Sequence, residues 1–430
     1  MIELSLIKIY SISPNEVILN SGIIFFVGIG IVYVIGQYFL FEFAKGFKRR
    51  MVEELHLNLT RRTVTIVQYA LIAIFVSVSL QMIMTARYSV VLLIAVTTIS
   101  YGLSVFMLGL LAQKFFSWFR AKKEFVILLY GLSSSMLVLN AILTVAYVDL
   151  ILTQFPPFIN PHPSLQFAPS IFPGSAGDIL STGLVFSSII SFMLSWGATV
   201  LLLRYLAIIW GKAKYRIIFS LPLAHFLIQF LPLFYNVFSL FPQSVSIFYM
   251  YTLFFTYSRP VGAILFGLAF WVIGRRLRYS SRDVMYYMVI SGVGLVLLFV
   301  SNEAIIFVNE PYPPFGFVSV LYQGLASYLV LIGIYSSAIS ISEDSRLRTS
   351  IRDLAMREAK LLDSIGTAQM EQQIQRRVIA FTKQNQDKMV EETGIQSAVT
   401  EEEMKQYVDQ VIQEVMRKKA TSNKANSGYT

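Results

Sequence analysis

The sequence predicts an all-α protein: a polytopic transmembrane helix bundle of about nine spans over 21–341, followed by a cytoplasmic helical coiled-coil tail. Three observations carry this reading. Of 430 residues, 55% are hydrophobic and only 14% charged, whereas a soluble domain carries about 25% charged residues. The mean hydropathy is +0.63. The basic residues cluster between the apolar runs rather than within them. Such a composition excludes an ordinary soluble domain, and also a disordered chain, which would be poor in apolar residues and rich in charge. The absence of Cys excludes disulfides, thiolate metal sites and Cys nucleophiles.

Each span follows from length. A helix crossing a hydrocarbon layer of about 30 Å needs roughly 20 apolar residues at about 1.5 Å each. Runs of that kind lie at about 21–44, 63–85, 89–113, 125–149, 179–207, 217–240, 248–274, 284–308 and 317–341. Residues 1–20 are then a short extracytoplasmic N-terminus. The first apolar run lacks a basic leader and a short core ending at small residues, so no cleavable signal is expected.

The connections set the orientation, because cytoplasmic loops collect Lys and Arg. The first holds Lys45, Lys48, Arg49, Arg50, Arg61 and Arg62; the third holds Lys114, Arg120, Lys122 and Lys123. The fifth holds Arg204, Lys212, Lys214 and Arg216, and the seventh Arg275, Arg276, Arg278 and Arg282. The opposite side has only Lys8 and Arg87. Hence the reading is a multi-pass cell-membrane protein with its N-terminus outside and its C-terminus in the cytoplasm. The net charge of +10 is carried by this pattern. It reports on the lipid bilayer as the partner, and no nucleic acid is expected.

Two outer loops are Pro-rich and poor in charge: residues 150–178, with Pro156, Pro157, Pro161, Pro163, Pro169 and Pro173, and the turn from Glu310 to Gly316. Prolines at this density prevent a regular helix. They read either as rigid spacers or as a cover over the outer end of the bundle.

At Ser342 the composition turns to Glu, Gln, Lys, Arg and Ala without Pro, which predicts helix over 342–419. Leu347, Ile351, Leu354, Leu361 and Ile365 follow 4-3 spacing, the seam of a coiled coil. After Gly366 the pattern resumes in another phase at Met370, Ile374, Val378 and Phe381, which reads as a stutter or hinge. A second amphipathic helix is expected at about 400–418, and 420–430 reads as disordered. The tail therefore predicts self-association or a cytoplasmic signalling partner. It contains no His, so it is not a phosphoacceptor helix, since His56, His162 and His225 are the only three in the chain.

Ionisable groups inside spans are costly and mark functional candidates. The candidates are Glu303 with Asn302 in the eighth span, Arg259 in the seventh beside Pro260, Asp149 at the end of the fourth, and His225 in the sixth. Glu303 and Arg259 are expected to form an ion pair in the outer half of the bundle. Pro260 is expected to free a backbone carbonyl one turn earlier, near Thr256. Either this is a buried pair fixing two helices or it is a binding or translocation site. Ser133 lies at a depth similar to His225, as an intramembrane serine protease requires. Yet Gly131-Leu132-Ser133-Ser134 lacks the second glycine of the rhomboid Gly-x-Ser-Gly turn. No HExxH or phosphate-loop motif is present, and no two glycines stand four apart to make a GxxxG face. No enzyme activity, metal or cofactor is expected.

The stretch Ser342-Glu343-Asp344-Ser345-Arg346-Leu347-Arg348, continued to Glu371-Gln372-Gln373-Ile374, resembles the juxtamembrane connector of polytopic membrane proteins from ammonia-oxidising archaea. Some of those proteins look like histidine-kinase sensors; the kinase core is missing here. The resemblance covers about a fifth of the chain and implies a non-enzymatic, sensor-like module that passes a signal to a helical tail. A secondary transporter or channel, and a structural subunit of a membrane complex, are the alternatives.

Overall fold

A computed structural model describes residues 16–45, 55–85, 89–154, 174–228, 230, 257–277, 281–302, 316–344, 360–393, 410 and 414. Every extended element among them is helical. In chain order these are α1 (Glu16–Lys45), α2 (Leu55–Thr85), α3 (Val90–Ala121), α4 (Phe125–Gln154), α5 (Ala176–Leu202), α6 (Leu206–Trp210), α7 (Lys212–Ile228), α8 (Ser258–Leu277), α9 (Arg282–Ser301), α10 (Phe317–Glu343) and α11 (Lys360–Thr393).

Seven helices among the described residues are long and apolar enough to span a membrane: Arg61–Met84 of α2, α3, Phe125–Thr153 of α4, α5, α8, α9 and α10. The other two expected spans, 21–44 and 217–240, fall on α1 and α7. Within α1 the described apolar stretch is Ile24–Leu40. Helix α7 begins with Lys212, Lys214 and Arg216 and ends at Ile228, with residues 231–256 outside the described set.

The helix ends follow local chemistry. Ser175 caps α5 by accepting from the Asp178 N–H, while the Asp178 carboxylate accepts from the Gly174 N–H at 2.9 Å. Ser281 caps α9 in the same manner, with Asp283 in the first turn where negative charge is favoured. Gly211 and Gly316 start α7 and α10 at φ +86, a conformation open to glycine at little cost.

Helix α10 is the axis of the bundle. It is apolar on all sides, and such a helix has to be buried all round; nearly every residue from Phe317 to Ala338 is buried. Helices α3 and α9 flank it, with α4, α5 and α8 outside them. Helices α1 and α2 lie at the periphery and expose Ile24, Ile31, Phe39, Ile66, Tyr69 and Met84, the surface expected of lipid contact.

The absence of GxxxG does not mean loose packing. A Cβ on Gly267 of α8 would stand 2.8 Å from the Gly292 carbonyl oxygen of α9, and one on Gly292 would stand 2.7 Å from that of Gly267. One glycine on each helix brings the two backbones together, so no repeat on a single helix is needed. Gly294 against Val330 and Gly324 against Ser100 do the same for α9–α10 and α3–α10.

Three further expectations change. Tyr257 lies in a turn and α8 starts at Ser258, so the span drawn from 248 does not run through as one helix. Pro260 therefore sits in the first turn of α8, where its missing N–H has no helical partner to lose, and it opens the helix instead of interrupting one. The Val261 N–H bonds the Tyr257 carbonyl normally at 3.0 Å. Second, the last span does not run on into the tail as a single rod: α10 ends at Glu343 and Asp344 is extended, at φ −98 and ψ 104. Third, Gly366 is no hinge. Helix α11 passes through it without a break, and a Cβ there would overlap Ile341 of α10, so the residue serves close approach.

Candidate intramembrane polar site

Helix α9 ends at Ser301, leaving C-terminal carbonyls without intrahelical donors. Helix α8 begins with Arg259 at the positive end of its own dipole, where local preference disfavours a cation. The two problems resolve each other. Arg259 Nη1 donates to the Asn302 backbone carbonyl at 2.8 Å, and Nη2 donates to Ser188 Oγ of α5 at 3.0 Å.

Asn302 is the hub. Its Nδ2 donates to Asn140 Oδ1 of α4 at 2.8 Å, and its Oδ1 accepts from Tyr101 Oη of α3 at 3.2 Å. Asn140 Nδ2 in turn donates to the Leu184 carbonyl at 3.1 Å and to Ser187 Oγ at 2.8 Å on α5. Beside it, Ser301 Oγ donates to Gln323 Oε1 of α10 at 2.8 Å. Asn140, Ser187, Tyr101 and Gln323 are all buried. Five helices thus converge on one network, with α10 bonded at the adjacent Ser301, in apolar surroundings where an unmet polar group costs several kcal/mol.

Of the residues singled out from the sequence, Arg259 and Asn302 come together. Glu303 lies outside the described residues, as do Leu347, Ile351 and Leu354. Asp149 is exposed, nine residues beyond Asn140 on α4, and no hydrogen bond among the described residues joins it to the network. His225 is half-buried in the last turn of α7. Ser133 is engaged elsewhere: its hydroxyl meets Ser195 Oγ at 2.5 Å and donates to the Ser191 carbonyl at 3.1 Å. Asn140, Tyr101, Ser188 and Gln323 gave no signal, because neutral polar residues in apolar helices are common and follow no period.

A second polar cluster was likewise silent. Between α1 and α2, Gln37 Nε2 donates to Gln68 Oε1 at 2.7 Å, and Tyr33 Oη donates to the same oxygen at 3.1 Å. Such pairs hold helices together where lipid supplies no hydrophobic drive.

About 25 Å along α3 from Tyr101, at the opposite end of the bundle, α11 is docked. Trp118 Nε1 donates to Gln369 Oε1 at 3.1 Å, and Gln372 Nε2 donates to Ser117 Oγ at 2.7 Å. Lys122 pairs with Glu371 at 3.6 Å, and Ser342 Oγ donates to Gln373 Oε1 at 3.2 Å. Leu361 and Ile365, read as seam residues, are 6% and 1% exposed here, in one core with Ile341 and Ala338 of their own chain. Of the helix expected at 400–418, Gln410 and Glu414 are described, and both are helical.

Chemically, the network offers hydrogen-bond donors, acceptors and one guanidinium with five donors, two of them used by these bonds. No group of His, Asp or Glu suited to a metal ion occurs among the described residues. No protein-family model, no curated protein and no solved structure matches the chain.

Proposed function

We propose that this protein is a non-enzymatic, sensor-like membrane module. In this reading the Arg259–Asn302 network is the input and docked α11 the output. The observation that carries it is that two helices each touch both ends. Helix α3 bonds the network through Tyr101 and α11 through Ser117 and Trp118. Helix α10 bonds Ser301 through Gln323 and α11 through Ser342. A ligand that favoured one arrangement of the network would shift the docking equilibrium by its differential affinity for the two states. The basic α3–α4 turn beside α11 supports a cytoplasmic location for that end. An undocked α11 would free Leu361 and Ile365 for a second copy or a signalling partner.

The Cys-free chain permits a direct test. Spin labels at Lys123 and Gln384 report the α3–α11 distance in reconstituted membranes. Arg259→Gln and Asn302→Ala should each broaden or lengthen that distance distribution. Distributions identical to wild type in both variants would remove the sensor reading. The half-buried guanidinium of Arg259 supports transport as a second reading; there, flux would persist after deletion of residues 345–430.

A further inference from the structure

Helix α11 is docked at its start, and an apolar stripe beyond the docked part is exposed. Leu361, Leu362, Ile365 and Ala368 are buried against the bundle, and Gln373 accepts from Ser342 of α10. The twenty residues from Ile374 to Thr393 extend for about 30 Å beyond that contact. Ile374, Val378 and Phe381 are 40%, 38% and 66% exposed. Their i, i+4, i+7 spacing puts them in one stripe.

The charge around the stripe narrows what covers it. Residues 372–386 include Arg376, Arg377 and Lys383 and contain no Asp or Glu. Arg376 and Arg377 are exposed. A second copy of the same segment would bring like charges together, whereas an anionic surface complements them. The position agrees. The docked part of α11 holds Ile341 and Ser342, at the end of the α10 span, and Lys122, just past the end of the α3 span. The open part therefore starts beside the ends of those two spanning helices.

We propose that residues 374–386 form an amphipathic membrane-surface segment that lies on anionic lipid headgroups, with Ile374, Val378 and Phe381 inserted among the acyl chains. Binding of this kind adds buried apolar area to electrostatic attraction, so it depends on both lipid charge and salt.

The test uses the full chain with a single nitroxide at Val378, reconstituted in phosphatidylcholine vesicles with or without phosphatidylglycerol. Collision with a water-soluble nickel chelate should fall several-fold when phosphatidylglycerol is present, and collision with oxygen should rise. Arg376→Gln with Arg377→Gln, or added salt, should restore the aqueous values. The distance from Lys123 to Gln375 should stay unchanged throughout, which shows that α11 is still docked. Equal nickel accessibility in the two vesicle types would overturn the proposal. So would lipid-independent protection with spin–spin broadening, which would assign the stripe to a second copy.

Discussion

The guanidinium of Arg259 and the main-chain carbonyl of Asn302, 2.8 Å apart, join the positive end of α8 to the negative end of α9. The same side chain reaches Ser188 on a third helix. A planar fork serves two acceptors in fixed directions, which a lysine ammonium does less well. Arg259→Met leaves the carbonyl unpaired, and the expected loss is about 1–3 kcal/mol of bundle stability. Arg259→Lys should lose less. Reversible unfolding in mixed micelles measures both; equal stability of Arg259→Met and wild type would show that the contact holds nothing.

Among the described residues, Asn302→Ala removes two side-chain bonds of the network and Tyr101→Phe one of those two. Interhelical bonds in membranes average about 0.6 kcal/mol. Tyr101→Phe should therefore be the milder change, with Asn302→Ala near 1 kcal/mol, on the order of two such bonds. The reverse order, read in the same unfolding measurement, would mean that Asn302 is not the hub.

Gly267→Ala and Gly292→Ala each place a methyl against a backbone carbonyl that has no rotamer to move. Each should cost about 1–3 kcal/mol by forcing α8 and α9 apart. Gly102 and Gly109 have nothing within 4 Å of an added Cβ, so alanine there should be neutral or stabilising. Thermal melts of the four variants test the contrast.

Leu361→Ala and Ile365→Ala cut into the contact that holds α11. Truncating buried Leu or Ile costs about 2–5 kcal/mol. Here the loss falls on docking, and the spanning bundle is left intact. Protease cleavage within 345–393 should accelerate while the melting of the spanning helices changes little. Unchanged cleavage would mean that the docked half is held by its polar bonds alone.

Much of the architecture was legible because length and hydropathy are additive along a chain. The positions of α2 to α5 and of α8 to α10 follow from runs of apolar residues, and Arg259 stood out because a cation in such a run is rare. What pairs with Arg259 was not legible. Asn140, Ser188 and Tyr101 are neutral, and only the fold brings residues 101, 140, 188, 259 and 302 together. Gly267 and Gly292 escaped for a related reason, since their contact is between helices and leaves no spacing on either one. The tail shows a different limit. The 4-3 pattern at Leu361 and Ile365 states that one face is buried, but not by which chain. Gly366 looked like a break in the pattern and is instead a point of close approach to Ile341 of α10.

The most direct measurement is a double-mutant cycle between Asn302→Ala and Gln369→Leu, with the docked fraction of α11 as the readout. Sites more than 10 Å apart with no shared partner add within about 0.3–0.5 kcal/mol. If α3 and α10 couple the two ends, the cycle should show a larger interaction energy, of about 1 kcal/mol or more. Simple additivity would contradict the coupling and leave the network and the docked helix as two independent features.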